Sequence, residues 1–358
     1  MAPKAPKALT GTPTEHGFSF PAEWVRHRGT WISWPRPEGI SFPGRYHEAI
    51  EDIAKLIGVL ATREEVHLNV PNDNYERLVR GFLKTRKVPM RRVFFHQIPT
   101  NECWTRDHGP AFVLRKRRGR TEAAVVDWGY NAWGGKYPPF DADDAVPTAV
   151  AQELGLPVFY PGIVMEGGAV DFNGAGTVLT TTSCLLNKNR NPHLSKSEVE
   201  TYLRDYYGQL HVVWLGDGIE GDDTDGHIDD LARFISEETI VIGLDDDPSD
   251  PNFAVLSENR KRLDRARDQS GRAFNIVELP MPKPVSHDGQ RLPATYMNFY
   301  FVNGALLVPT FGQGARDRQA LAILQRHVPH REVIGVDCRA LIWGLGAIHC
   351  FTQQHPYY

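Results

Sequence analysis

Cysteine is scarce in this chain of 358 residues, which contains only Cys103, Cys184, Cys338 and Cys350. Four cysteines in so long a chain do not make the disulfide framework of a small secreted protein, and the absence of any Cys-x-x-Cys pair argues against structural zinc. We therefore interpret each cysteine as a free thiol. Neither His-x-His nor His-Glu-x-x-His occurs among the 14 histidines, so the sequence predicts no metal and no cofactor.

An excess of positive charge and long apolar runs are also missing. Lys and Arg number 40 against 44 Asp and Glu, for a formal net charge of -4, which argues against a nucleic-acid partner. No apolar run approaches the roughly 20 residues that span a bilayer, and residues 1–7 lack the apolar segment of a signal peptide. The sequence thus predicts a cytoplasmic protein that does not bind membranes, and it leaves homo-oligomerisation open.

No Gly/Ser-rich linker divides the chain into separate domains. Residues 1–16 are rich in Pro, Lys and Thr and have no hydrophobic periodicity, so we predict a flexible N-terminal tail there. Hydrophobic residues make up 41% of the chain, enough for a substantial core. Residues 17–358 are predicted to form a single catalytic domain.

Hydrophobic patterning alternates between helical and extended segments. Residues 46–62 carry apolar side chains at helical spacing, and a strand is predicted over 66–70. Ser195 and Glu198 form a sequence capping box that predicts a helix start, and another helix is predicted over 253–272. A unit of strands plus one helix recurs about five times by this reading, which makes an α/β fold.

Cys350 is a candidate nucleophile in the run GAIHCFTQQHP near the end of the sequence. Most isolated cysteines are buried and inert. Here, however, Gly344 and Gly346 precede the thiol and polar residues 352–354 follow it, which favours a side chain presented at a tight turn. The other three cysteines lack such surroundings and are interpreted as structural.

A second unusual run, DDTDGHIDD, places His227 among acids. A calcium-binding EF-hand loop is excluded, because alignment on its glycine puts Gly221 and Ala232 where acidic ligands belong. A lone loop histidine is usually solvated. In an extended segment, however, His227 and Asp229 point to the same side, so one pocket could receive both.

Two further runs carry candidate site residues. WTRDHGP places Trp104 and Asp107 just after a predicted strand, with an ordinary surface turn as the alternative. MEGGAVDF places Glu166 beside two glycines that permit close approach of a ligand, with a Gly-rich hairpin as the alternative. Three nearby aromatic residues could fill the core or line the pocket: Trp128, Tyr130 and Trp133. For Trp128 we favour the core, and for the other two the choice stays open.

A thiol nucleophile surrounded by acids is a poor arrangement unless the substrate is a cation, because nearby negative charge raises a thiol pKa. The combination of Cys350 with His227 and carboxylates therefore predicts a guanidinium substrate.

The runs GFSFPAEW, WTRDHGP, EGGAVDF with LLNKNRNP, DDTDGHIDD and GAIHCFTQQHP together resemble the agmatine deiminase family, which includes bacterial-type peptidylarginine deiminases. The resemblance extends from residue 17 to 356. It implies the pentein fold, a pseudo-fivefold α/β propeller of ββαβ-type units around a central active site. It also implies hydrolysis of agmatine to N-carbamoylputrescine and ammonia through an amidino-cysteine intermediate, a step of putrescine biosynthesis.

The resemblance also implies residue roles. Cys350 matches the family nucleophile and His227 its general acid and base. Asp107 and Asp229 match the carboxylates that bind the guanidinium. Glu166 matches the acid that supports the guanidinium and the histidine.

The substrate's far end is where the sequence departs from the family. Trp104 matches a channel-lining aromatic residue, but the histidine loop reads Asp223-Thr-Asp225-Gly where relatives often have Glu-Thr-Asn. Asp223 or Asp225 is therefore a hypothetical partner for the ammonium group of agmatine. A free arginine or peptidylarginine substrate stays an alternative. Two alternatives from other classes are a metal-dependent amidohydrolase and a catalytically silent, guanidinium-binding pentein.

Overall fold

The computed structural model describes residues 5–358. Its strands are β1 His27–Ser33, β2 Glu65–Val70, β3 Val93–Gln97, β4 Ala111–Arg117, β5 Arg120–Val126, β6 Val158–Phe159, β7 Val170–Phe172, β8 Thr177–Thr181, β9 His211–Leu215, β10 Ala232–Ser236, β11 Thr239–Leu244, β12 Asn275–Pro280, β13 Ser286–His287, β14 Gln290–Arg291, β15 Tyr300–Val302, β16 Ala305–Thr310, β17 Glu332–Asp337 and β18 Gln353–Pro356. Its helices are α1 Tyr46–Arg63, α2 Asp73–Thr85, α3 Thr105–His108, α4 Ala132–Gly135, α5 Asp141–Asp144, α6 Val146–Leu154, α7 Thr182–Leu185, α8 Lys196–Tyr207, α9 Pro251–Arg265, α10 Ala315–His327 and α11 Ile348–Phe351.

One unit of secondary structure recurs around the molecule. In four sheets an antiparallel pair is followed by a helical crossover to a third, parallel strand: β4-β5-β6, β7-β8-β9, β10-β11-β12 and β15-β16-β17. The crossovers contain α6, α8, α9 and α10 respectively. Parallel strands need such crossovers because a short turn cannot bring the chain back to the same end of the sheet. The predicted α/β alternation of ββαβ-type units is confirmed.

The remaining large sheet joins the two ends of the chain. Its order is β18-β1-β2-β3, and β18 runs antiparallel to β1 with Trp31 opposite Gln353. The crossovers α1 and α2 connect its three parallel strands. Because α11 lies directly before β18, this pairing of the first and last strands fixes the position of Cys350.

The helices pack against the sheets through apolar faces. On α1 the buried side chains recur at helical spacing, among them Ile53, Leu56, Ile57 and Leu60. The predicted helix over 46–62 and strand over 66–70 are confirmed by α1 and β2. The capping box at the start of α8 is also confirmed, since Ser195 and Glu198 hydrogen-bond each other's backbone.

The helix predicted over 253–272 ends early, at Arg265. Ala266 already has extended backbone angles, and Asp268 accepts hydrogen bonds from the backbone N–H groups of Ser270 and Arg272. An aspartate that binds the N–H groups following it stabilises a turn in competition with a helix.

Part of the segment predicted as a flexible tail, residues 1–16, makes backbone contacts from Lys7 onwards, while the flexibility itself stays a prediction. The Leu9 N–H donates to the Val158 carbonyl at 2.8 Å, and the Val158 N–H donates to the Lys7 carbonyl at 2.9 Å. Residues 14–16 form a 3-10 turn. Lys7 and Leu9 thus extend the β4-β5-β6 sheet at its edge strand β6. Residues 1–4 lie outside the described part of the chain. The single domain over 17–358 stays a prediction.

Within residues 5–358, no helix combines the length and apolar composition needed to cross a membrane. The cytoplasmic location stays a prediction. All four cysteines are free thiols, as predicted.

Candidate active site

A cavity of about 370 Å³ is lined by Cys350 and Asp107, which lie on two short helices, α11 and α3. Its size falls within the range of about 300–1,000 Å³ that is typical of small-molecule sites. Aromatic side chains form part of the wall: Trp104, Trp133 and Trp343. The cavity therefore combines a thiol, an acid and flat apolar surfaces.

The Cys350 thiol is held by Asn298 and approached by a carboxylate. Asn298 Nδ2 donates to Cys350 Sγ at 3.0 Å, and Asp229 Oδ2 lies 3.7 Å from the same sulfur. Asn298 Oδ1 accepts hydrogen bonds from the backbone N–H groups of His349 and Cys350, at 2.9 and 3.2 Å. One asparagine thus fixes both the sulfur and the backbone that carries it.

Burial raises the pKa of Cys350 well above its ordinary value, and the negative charges of Asp229, Asp230 and Asp107 raise it further. The hydrogen bond from Asn298 opposes this shift only in part. The ligand-free site therefore holds a protonated thiol at neutral pH.

His227 lies between two carboxylates, completely buried. Its Nδ1 is 3.7 Å from Asp107 Oδ1 and 3.9 Å from Asp229 Oδ1. Burial alone would lower the His227 pKa, but Asp107, the Cys184 thiol and Asp229 outweigh burial and raise it well above 6.5. The imidazolium form is consequently present at neutral pH.

The local backbone of the His227 segment differs from the prediction. Residues 228–230 form a 3-10 turn rather than an extended strand. His227 and Asp229 nevertheless face the same site, as their Nδ1–Oδ1 distance shows. The pairing was predicted, whereas the geometry that produces it was not.

Asp107 is fixed by two donors of its own. Its Oδ1 accepts the Gly168 N–H at 2.9 Å, and its Oδ2 accepts the Trp133 Nε1–H at 2.9 Å. Burial raises the pKa of Asp107 to about 6, with His227 opposing and Asp229 adding to the shift. Asp107 therefore loses its charge in mildly acidic solution.

Asp229 has a different electrostatic environment. Its Oδ2 lies 2.7 Å from His349 Nδ1, while its Oδ1 has no hydrogen-bond partner among residues 5–358. Burial would raise the Asp229 pKa, but His349 and His227 lower it below 3.8. A buried, ionised oxygen without a donor is costly unless a ligand supplies one.

Glu166 is fully buried and does not line the cavity. Its Oε1 accepts from Arg190 Nε at 2.5 Å, and its Oε2 has no partner within the described chain. One oxygen of Glu166, a ring nitrogen of His227 and the Cys184 sulfur lie within 4.8 Å of one another. The acid therefore lies beside the histidine, as its predicted supporting role requires.

Two groups of side chains have spacings that a metal ion could bridge: Glu166, Cys184 and His227, and Asp229, Asp230 and Cys350. In the first, the neighbouring Arg190 cation opposes a metal charge. In the second, Asn298 already donates to both carboxylates and to the sulfur. We therefore assign no metal site to either group.

Trp104 lies against the glycines that precede the nucleophile. A Cβ on Gly344 or Gly346 would lie 2.6 Å from the Trp104 ring, closer than any side chain allows. Trp104 Nε1 donates to Ser41 Oγ at 2.9 Å. The predicted channel-lining position of Trp104 agrees with its place in the cavity wall.

The two loop acids separate in space. Asp223 lines the cavity, where its carboxylate accepts the Tyr137 hydroxyl. Asp225 is not part of the lining: it accepts from Arg190 Nη1 at 2.5 Å and pairs with Lys136 at 2.9 Å. Two cations thus already hold the Asp225 carboxylate, and its contact with the substrate stays a prediction.

Sequence reasoning missed residues that shape the site. Asn298 holds the Cys350 thiol, and His349 holds Asp229. Neither was predicted from the sequence, although His349 directly precedes Cys350. Trp133 lines the cavity and donates to Asp107, whereas Trp128 packs in the core with Tyr207.

Four ββαβ sheets, a further sheet that joins the two chain ends, and a cavity lined by a thiol and acids identify the fold as a pentein. An amidinotransferase from Microseira wollei shares this fold with a TM-score of 0.52, over 94% of this chain and 96% of its own, at 12% identity. That likeness concerns the fold alone.

The chain belongs to the Porphyromonas-type peptidyl-arginine deiminase family, whose sequence profile matches residues 19–356. It is 36% identical to an agmatine deiminase from Pseudomonas fluorescens over 372 residues, which covers 97% of this chain and 98% of the relative. It also resembles the solved agmatine deiminase of Enterococcus faecalis, with a TM-score of 0.89 at 32% identity over 98% of this chain and 99% of that one.

Proposed function

We propose that the chain is an agmatine deiminase that releases ammonia from the guanidinium group and leaves N-carbamoylputrescine. The observation that carries this proposal is the Cys350 thiol beside buried Asp107 and Asp229, where one Asp229 oxygen accepts no hydrogen bond from residues 5–358. The relatives named agmatine deiminases support it.

A guanidinium ion suits this set of acceptors. Its planar fork of N–H donors matches carboxylates, and two carboxylates at different edges fix its plane. Asp229 Oδ1, which has no donor in the described part of the chain, gains one from the guanidinium, and Asp107 supplies a second contact. The central carbon is then held in front of the sulfur, so that orientation contributes to lowering the barrier.

Substrate binding also activates the nucleophile. The surrounding acids raise the Cys350 pKa, whereas a bound cation neutralises their charge and favours the thiolate. The arrangement limits thiolate formation to the complex with a cationic ligand.

The reaction runs in two halves. As the substrate binds, the Cys350 thiol loses its proton to solvent and the thiolate sulfur bonds to the guanidinium carbon. A C–N bond then breaks as protonated His227 gives its proton to the departing amino group, which leaves as ammonia. The amidino-cysteine that remains is attacked by water, which loses a proton to neutral His227. The C–S bond breaks, and the ureido product and the thiol are released.

The cavity wall favours an amine at the far end of the substrate. Asp223, Glu102 and Asp288 contribute negative charge to the lining. Arg45, a candidate partner for the carboxylate of free arginine, is stacked 5.2 Å from the Trp343 ring centre and paired with Glu48.

A substrate panel tests this assignment. We expect agmatine to be turned over faster than free arginine or a blocked arginine amide, as measured by ammonia and ureido release. Asp223→Asn should raise the KM for agmatine and leave kcat almost unchanged, because it removes a contact far from the reacting carbon. Equal rates on all three substrates would rule out ammonium pairing.

Mass spectrometry separates turnover from binding alone. Protein quenched during turnover should carry an amidino group on Cys350, and Cys350→Ala should carry none. Ligand binding without an adduct or ammonia would favour the catalytically silent pentein. Activity that survives Cys350→Ala but is lost to a chelator would favour a metal-dependent amidohydrolase.

A further inference from the structure

Both ring nitrogens of His349 are bound to carboxylates. Nδ1 lies 2.7 Å from Asp229 Oδ2 and Nε2 lies 2.7 Å from Glu23 Oε2, and the residue is 1% exposed. An ionised carboxylate only accepts hydrogen bonds, so each nitrogen must carry a hydrogen. The geometry therefore requires the imidazolium form of His349.

Glu23 is itself held in a buried network of cations. Its Oε2 also accepts from Arg233 Nη2 at 3.0 Å and Arg106 Nη2 at 3.3 Å, and its Oε1 accepts the Phe301 N–H at 2.8 Å. Burial would raise the Glu23 pKa, but Arg233, His349 and Arg106 lower it far below the ordinary value. Glu23 is consequently a permanent anion.

Charge balance around His349 supports the same protonation state. The buried acids are Glu23, Asp171 and Asp229, and the buried cations are Arg106, Arg233 and protonated His349. Neutral His349 would leave one buried negative charge uncompensated, which is costly. Other titratable groups also face this cluster. His227 Nδ1 lies 3.9 Å from Asp229 Oδ1, and the buried Asp230 lies beside Asp229. The Tyr300 ring is 6.4 Å from the His349 ring, and the Cys350 thiol lies next to Asp229.

We propose that Glu23 and His349 form a positioning pair that keeps Asp229 ionised and oriented beside Cys350. The inference rests on the proposed function, in which Asp229 binds the guanidinium. It gives a role to the GFSFPAEW run, which enters the site through Glu23 although it precedes β1. His349 is a positioning residue, because it contacts Asp229 rather than the substrate.

His349→Asn is the principal test. The amide can still donate from the Nδ1 position, but the positive charge is lost. Burial and the neighbouring acids then raise the Asp229 pKa above that of Asp107, so the acid limb of kcat/KM moves to higher pH by about one unit or more. KM should rise more than kcat falls, because cation binding is what weakens. Glu23→Gln should shift the limb in the same direction. If His349→Asn folds and the acid limb of its kcat/KM profile lies at the wild-type pH, the proposal is overturned.

His355→Asn is a matched control. His355 is another fully buried histidine, on β18, and its ring nitrogens have no hydrogen-bond partner among residues 5–358. Its replacement should lower the melting temperature without moving the acid limb. A similar shift in both variants would mean that burial in general, and not the Glu23–His349 pair, sets the limb.

Alkylation of Cys350 separates this inference from the proposed function, since it needs no turnover. Cationic 2-chloroacetamidine and neutral 2-chloroacetamide both transfer their carbon to sulfur and release chloride. Wild type should prefer the cation, and His349→Asn should lower this rate ratio about tenfold. An unchanged ratio overturns the positioning pair. A wild type that prefers the cation but releases no ammonia from agmatine contradicts the proposed function alone.

Nitrogen-15 NMR on wild type decides the matter if the variants do not fold. Both ring nitrogens of His349 should carry a hydrogen in the folded protein, because each one contacts a carboxylate. A neutral tautomer there would overturn the proposal.

Discussion

At the residue scale, two aspartates in one site have opposite pKa shifts. Within residues 5–358, the hydrogen-bond donors to Asp107 are neutral, and burial dominates the shift of its pKa. Asp229 is bonded to His349, whose charge more than offsets burial. The same residue type thus titrates differently because of its partners.

This difference predicts the pH profile. Asp107 must be ionised to bind a cation, and its pKa is raised to about 6. As pH falls through about 6, kcat/KM should therefore drop, approaching tenfold per pH unit. Steady-state rates across the acid range check this. If kcat/KM instead falls near the ordinary aspartate pKa, Asp107 is not the group that titrates.

Gly168 is predicted to tolerate no side chain. A Cβ there would lie 2.5 Å from His227 Nδ1 and 2.8 Å from Asp107 Oδ1. Gly168→Ala should displace these groups and lower kcat about a hundredfold, measured alongside circular dichroism. Gly81→Ala is the control, because a Cβ on this α2 glycine meets nothing within 4 Å; it should preserve activity and slightly increase stability.

At the element scale, local chemistry sets the ends of helices. Asn72 caps α2 by accepting from two backbone N–H groups, and Asp250 caps α9 in the same way with one. The four-residue helices α3 and α11 lack such a side-chain cap and depend on packing. The elements that carry Asp107 and Cys350 are therefore the ones that local rules specify least.

Ser195→Ala tests a cap away from the site. It removes the hydroxyl from the capping box of α8, so the free energy of unfolding should fall by about 1 kcal/mol. Denaturant titration measures the loss, and kcat should stay unchanged. Ser197→Ala, two residues further along α8, should lower the free energy of unfolding much less. Equal losses would show that the box contributes nothing specific.

At the scale of the whole molecule, the pairing of β18 with β1 joins the two ends of the chain in one sheet. The N-terminal segment adds another long-range contact through the backbone hydrogen bonds that join Lys7 and Leu9 to Val158. This contact lies outside the cavity lining. The segment is therefore expected to affect stability and not catalysis.

Deletion of residues 1–10 tests that expectation. Loss of two backbone hydrogen bonds and of the Leu9 side-chain packing should lower the free energy of unfolding by roughly 1–3 kcal/mol. Leu9→Ala should give part of this effect, and kcat/KM should equal that of the full chain. Unchanged stability would support the original prediction of a flexible tail.

The sequence alone determined the elements and the chemistry. Periodicity predicted α1 and β2, and the acid-rich runs around His227 and Cys350 predicted a cationic substrate, because side-chain type and local spacing govern both. Only the tertiary structure decided which acids face the cavity. Asp223 faces the cavity whereas Asp225, two residues on, binds Arg190 and Lys136.

The clearest case is the contact between Glu23 and His349, which are 326 positions apart. Nothing in either local run indicates the other, because the contact depends on the pairing of β18 with β1 and on Arg106 and Arg233 meeting at the same point. The sequence therefore determined what chemistry was available, and the packing of five units determined which charges meet, since buried charges are stable only where their counter-charges lie.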